Sequence, residues 1–160
     1  MCIRDRSQVA ARVVGPSGRI VGIDLLEIEP MAGVEFITLD FLDPEAPAKL
    51  TSLLGGPADL VMSDMAANAT GHKKTDHLRI IGLAETAAEF AREILGPGGA
   101  YLAKVLQGGT ESALLTDLKR DFALVRHVKP AASRADSSEL YVLATGYRGT
   151  LARAPAPDEV

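Results

Sequence analysis

Short apolar runs alternate along this chain with stretches in which apolar residues return at every third or fourth position. The two periods assign strands and helices in turn. Arg19-Ile20-Val21-Gly22-Ile23-Asp24 reads as a buried strand entered from the turn Gly15-Pro16-Ser17-Gly18, and Ser7 to Val14 before it as the end of a helix closed by Gly15. Val34 to Leu39 is a second strand that ends on Asp40, and Pro44 to Leu54 is a short helix stopped by Gly55-Gly56-Pro57. Asp59 to Ser63 is the third strand. Between Asp76 and Leu95, Ile80, Leu83, Ala84, Ala87, Ala88, Ala91 and Ile94 form one face of a long amphipathic helix that Gly96-Pro97-Gly98-Gly99 should stop. Ala100 to Leu106 is the next strand, Thr110 to Phe122 a helix, Leu124 to Val128 a strand and Leu140 to Thr145 the last strand.

Strands alternating with helices predict an α/β fold, a parallel sheet with helices on both faces. The last two strands lack a helix between them, so a hairpin-like link through Lys129-Pro130 to Ser138 makes one of them antiparallel, as mixed sheets tolerate at an edge. With 160 residues, 47% hydrophobic and 24% charged, one soluble globular domain is expected. No stretch is long and apolar enough to span a membrane, and Met1 to Arg6 lacks the apolar core of a secretory signal, so a cytoplasmic location is expected. Cys2 is the only cysteine, which leaves no internal disulfide and no cysteine-based metal site.

The formal net charge of −4 is unevenly spread. Nine acids and one base lie between Ile20 and Asp64, whereas ten bases and seven acids lie between Met65 and Arg134. His72, Lys73, Lys74, His77 and Arg79 form one basic cluster, and Lys119, Arg120, Arg126, His127, Lys129 and Arg134 a second. A basic face for phosphates is one reading and ordinary solvated charge the other.

Three apolar runs meet an ionisable residue at their ends. Leu60 to Ser63 ends on Asp64, Ala100 to Ala103 on Lys104, and Glu139 opens Leu140 to Leu143. In open α/β sheets the carboxyl ends of the strands line the ligand crevice, so Asp64, Lys104 and Glu139 form a candidate site for proton chemistry. A lysine inside a strand that otherwise wants burial needs a carboxylate partner or must lose its proton. The alternative is a structural ion pair at the sheet rim. Asp24, at the end of a Rossmann-type strand, is placed to hold ribose hydroxyls, or simply to cap the following turn. Asp40, beside Phe41, is placed to contact an adenine edge, or with Asp43 to start the helix at Pro44.

Several motifs together resemble the FtsJ-type ribose 2′-O-methyltransferases: Asp59 to Asn68, Gly96-Pro97-Gly98-Gly99 leading to Lys104-Val105-Leu106-Gln107-Gly108, Lys129-Pro130 with Ser133-Arg134, Ser138-Glu139-Leu140-Tyr141, and Ala144-Thr145-Gly146. The resemblance runs from about Ser7 to about Arg148. It implies a Rossmann-like fold binding S-adenosyl-L-methionine, without a metal, in a monomeric enzyme that methylates a uridine ribose in 23S rRNA of the large ribosomal subunit. It further implies that Lys104 accepts the proton, that Asp64 orients it and borders the methyl donor, and that Glu139 flanks it. Asp24 and Asp40 match the acids that contact the donor's ribose and adenine.

Two of that family's parts have no counterpart in these residues: a first catalytic lysine, and the first strand with its Gly-rich turn. Met1 to Arg6 reads as a non-native remnant, 7–148 as a methyltransferase domain incomplete at its N-terminus and 149–160 as a disordered tail. The expectation is therefore a chain that folds poorly and is inactive by itself. A nicotinamide-dependent Rossmann oxidoreductase and a non-catalytic RNA-binding fragment are the competing readings.

Overall fold

The computed structural model describes residues 3–66, 70–106, 112–131, 133 and 137–149. It divides into two compact units, Met1–Pro57 and Ala58–Val160.

The first unit holds α1 (Ile3–Val14), β1 (Ile20–Asp24), β2 (Val34–Thr38) and α2 (Ala46–Leu54). Helix α1 takes in Ile3 to Arg6 as well as the expected Ser7 to Val14, and the Gly15 N–H closes it on the Ala11 carbonyl at 3.1 Å. Strands β1 and β2 pair in parallel from Ile20 opposite Val34 to Asp24 opposite Thr38, so both end at the same level. Beyond each end an Asp side chain folds back on the chain. Asp24 Oδ1 accepts the Leu26 N–H at 3.0 Å and Asp40 Oδ1 the Leu42 N–H at 2.9 Å, a turn that a short acceptor side chain favours. Asp43 repeats this with Glu45 at 2.8 Å. These turns hold residues 40–45 out of the helix, so α2 begins at Ala46 and not at Pro44.

The second unit holds β3 (Ala58–Ser63), α3 (Lys73–Ile94), β4 (Leu95–Leu106), α4 (Ser112–Asp121), β5 (Phe122–Val128) and β6 (Glu139–Tyr147) in one sheet of order β3-β4-β6-β5. β3 and β4 are parallel, and β6 is antiparallel to both its neighbours. The antiparallel strand is thus internal and not at an edge, because β6 brings Val142 and Ala144, both fully buried, while β5 leaves Leu124, Arg126 and His127 exposed. The more apolar strand takes the position with two partners.

Both crossovers, β3-α3-β4 and β4-α4-β5, move the same way across the sheet, and right-handed crossovers of that kind put both helices on one face. Tyr101, Ala103 and Val105 of β4 point at that face and are fully buried; the Tyr101 hydroxyl donates to the Ala84 carbonyl of α3. Burial pushes the Tyr101 phenol above its ordinary value, against a smaller opposing effect of Arg92. The alternate residues Leu102, Lys104 and Leu106 point to the other face, with Leu60 and Met62 of β3 at 48% and 43% exposure.

Two element boundaries differ from the sequence pattern. α3 ends at Ile94, ahead of the glycine run, and Gly96 to Gly99 belong to β4. There β4 bulges: between the pairs Ala58–Leu95 and Leu60–Ala100, β3 advances two residues and β4 five. Gly98 has φ +83°, and a Cβ on Gly99 would come within 2.9 Å of the Gly96 carbonyl oxygen, so the bulge needs glycine at both positions. Phe122 opens β5 instead of closing α4, and its ring packs on Tyr147 with centroids 5.2 Å apart.

The lower end of the helix layer is tied by Asp121, whose Oδ2 accepts Arg92 Nε at 2.6 Å and whose Oδ1 accepts Arg120 Nε at 3.1 Å, while the Tyr147 hydroxyl donates to the Arg92 carbonyl. Burial alone would raise the Asp121 carboxyl; the hydrogen bonds and charges of Arg120 and Arg92 outweigh it and hold it below its ordinary value of 3.8. A carboxyl depressed on folding stabilises the fold above the unfolded value and loses that contribution as pH falls through the lower folded one. Asp121→Ala is therefore expected to lower stability by about 2 kcal/mol at neutral pH. In urea unfolding the difference from wild type should shrink below pH 4, and a difference independent of pH would contradict this.

Candidate active site

Lys104 lies near the carboxyl end of β4 with its side chain only 10% exposed. A strand buried on one face and apolar on the other delivers that amine to the sheet rim, and two acids meet it. Asp64, the first residue beyond β3, places Oδ1 3.4 Å from Lys104 Nζ. Glu139, the first residue of β6, places Oε1 at 3.7 Å. The parallel register sets Ser63 opposite Ala103, which carries Asp64 to the level of Lys104; the antiparallel register sets Glu139 opposite Leu106. All three side chains follow from pairings between residues distant in sequence.

Their surroundings differ. Asp64 is 22% exposed and also accepts the Tyr141 hydroxyl at 3.3 Å, whereas Glu139 is 53% exposed. The inner acid is fixed and the outer one faces solvent. Tyr141 stands directly opposite Lys104 in the β4–β6 ladder. Sequence reasoning gave Tyr141 no role, because its position over Asp64 depends on the order β3-β4-β6, which no local pattern encodes.

Asp24 and Asp40 lie in the first unit, at the ends of the paired strands β1 and β2. Each accepts a backbone N–H on Oδ1 in its own turn; for Asp24 that is the capping of the following turn, whereas Asp40 and Asp43 do not start a helix at Pro44, since α2 opens at Ala46. Leu25, Leu26 and Leu42 beside them are exposed, and Phe41 is half-buried. Carboxylates next to an apolar rim suit a nucleoside, whose hydroxyls donate and whose base needs a nonpolar wall.

Of the basic clusters, His72, Lys74 and Arg79 are exposed, while His77 is half-buried with Nε2 unpartnered. Arg120 is engaged by Asp117 and Asp121. Arg126, His127 and Lys129 are exposed along β5 and just beyond it. Asn68, Gln107, Gly108, Arg134 and the tail from 150 onward lie outside the described residues. Among the described residues no helix is long and apolar enough to cross a membrane.

Residues 6–147 match the model of the FtsJ-like methyltransferase family. The chain belongs to that family. The family match removes the ground for a nicotinamide-dependent oxidoreductase. The chain is 70% identical over 151 residues to the ribosomal RNA large subunit methyltransferase E of Xanthobacter autotrophicus, covering 92% of this chain and 59% of that protein. It is 65% identical over 150 residues to the protein of the same name from Azorhizobium caulinodans, covering 92% and 62%. The chain thus spans about 60% of the length of these relatives.

Among solved structures, a protein from Plasmodium falciparum described as a ribosomal RNA methyltransferase superposes with a TM-score of 0.79 at 27% identity, over 90% of this chain and 81% of that one. Human methyltransferase-like protein 13, solved with SAH, superposes with a TM-score of 0.59 at 13% identity, over 96% of this chain and 81% of that one, a likeness of fold alone.

Proposed function

We propose that the protein containing this chain transfers the methyl group of S-adenosylmethionine to the ribose 2′-hydroxyl of a uridine in 23S rRNA of the large ribosomal subunit. The observation that carries this reading is the nearly buried Lys104 amine held between Asp64 and Glu139 at the carboxyl rim of the sheet. The names of the relatives support the rRNA substrate.

Asp24 and Asp40 would hold the donor through its ribose and adenine, and Asp64 would border it. When bound, the donor supplies a methyl group on a positively charged sulfur. Lys104 acts on the acceptor. As the methyl carbon passes to the 2′-oxygen and its bond to sulfur breaks, leaving a neutral thioether, the hydroxyl proton would pass to Lys104 Nζ in its neutral amine form, and the ammonium so formed would be balanced by Asp64 at 3.4 Å and Glu139 at 3.7 Å. Tyr141, by donating to Asp64, fixes the carboxylate oxygen nearest the amine. Orientation of this kind removes motion that would otherwise have to be lost at the barrier.

Transfer of labelled methyl from the donor to large-subunit rRNA, by the protein extended to the length of its relatives, tests the reading; absence of label would overturn it. Donor binding gives a second check. Asp24→Asn keeps the oxygen that closes the turn but loses the charge, so the donor Kd should rise about tenfold by calorimetry. An unchanged Kd would place the donor's ribose elsewhere.

A further inference from the structure

The motif Lys129-Pro130, with Ser133 and Ser137 after it, takes no part in the proposed proton transfer, yet it forms a clip next to the site. Lys129 is the residue after β5, at the level where Val128 pairs with Tyr141 and Tyr141 with Lys104. Its Nζ reaches across the β5–β6 connection and donates to the Ser137 carbonyl at 3.0 Å. The Ser137 hydroxyl in turn accepts the Glu139 backbone N–H at 3.2 Å. On the near side of the connection, the Ser133 N–H closes a turn on the Pro130 carbonyl at 2.9 Å. Ser133 and Ser137 are each held by these bonds, and the second set ends on the residue whose carboxylate faces Lys104.

We infer that Lys129 is a positioning residue that, through Ser137, sets where Glu139 starts β6 and so where its carboxylate stands against Lys104. The inference rests on the proposed function. Glu139 is the most exposed of the three site groups, at 53% against 22% for Asp64 and 10% for Lys104. Its placement depends on its backbone, which the β4–β6 pairing with Leu106 and the clip hold together. A cation is the suited donor, because an ammonium bonds a peptide carbonyl more strongly than a neutral group does.

The test compares wild type, Lys129→Met, Glu139→Gln and the double variant in the extended protein. Lys129→Met should lower kcat about tenfold, with the KM values for donor and RNA unchanged. The double variant should be no slower than Glu139→Gln, since the clip acts only through that carboxylate. Lys129→Arg, which still donates, should restore most of the rate. Losses that multiply in the double variant, or a raised RNA KM with kcat intact, would overturn the inference and make Lys129 an independent brace or a phosphate contact. Amide hydrogen exchange at Glu139 gives a readout free of turnover: Lys129→Met should speed it about tenfold. Unchanged exchange would overturn the clip. If the wild type transfers no methyl group, the functional reading falls by itself and the exchange result still decides the clip.

Discussion

Lys104→Ala, made in the protein extended to the length of its relatives, should reduce methyl transfer by about a thousandfold or more while donor binding persists. The amine is the one basic group among the described residues that stands within 4 Å of both Asp64 and Glu139. Removing it takes away the proton acceptor and leaves two acids facing each other's charge. Lys104→Arg separates the base from the ion pair. A guanidinium keeps the pairing with Asp64 and hence the stability, but it stays charged and accepts no proton. Thermal unfolding of the arginine variant should stay near wild type and that of the alanine variant should fall, with both inactive. Activity retained in either variant would show that Lys104 is only the structural ion pair its position also allows.

In the chain as it stands, backbone amides of β1 and β2 should exchange at least about a hundredfold faster than those of β4 and β6. The cause is burial. β1 has one buried residue, Gly22, and β2 has none, whereas β4 carries Tyr101, Ala103 and Val105 and β6 carries Val142 and Ala144, all fully buried. A two-stranded sheet by itself is marginal, and parallel pairing is stable only when both faces are covered. The four-stranded sheet has β3 at one edge, with Leu60 and Met62 largely exposed. We accordingly expect the 160 residues alone to transfer no methyl group, because two of the donor's three proposed contacts, Asp24 and Asp40, lie on the less protected sheet. Equal protection of the two sheets, or turnover by this chain alone, would refute this.

Much of the fold was legible in the sequence because the hydrophobic period is a local property. The apolar period between Asp76 and Leu95 predicts the long helix, and Ala84, Ala87, Ala88 and Ala91 are indeed on its buried face. It starts earlier than that period shows, since the first turn from Lys73 is polar and is closed by contacts that composition does not show: the Asp76 carboxylate accepts both the N–H and the hydroxyl of Thr70. Those hydrogen bonds hold the Asp76 carboxyl below its ordinary range. A glycine run by its chemistry predicts a helix stop; here the helix ends at Ile94, ahead of the run, and the glycines let β4 bulge against β3.

By itself, the chain's sequence determined the types of its elements, the family it resembles and the three charged residues that end or open apolar strands. Those are consequences of side-chain chemistry and spacing within a few residues. The tertiary structure decided what stands next to what. It placed β6 between β4 and β5, set Tyr141 opposite Lys104 and over Asp64, and tied Lys129 to the residues before Glu139. The physical reason is that strand order is chosen by burial summed over a whole sheet. The strand with the most apolar face goes inside, and the polar residues at its end are carried with it to the rim.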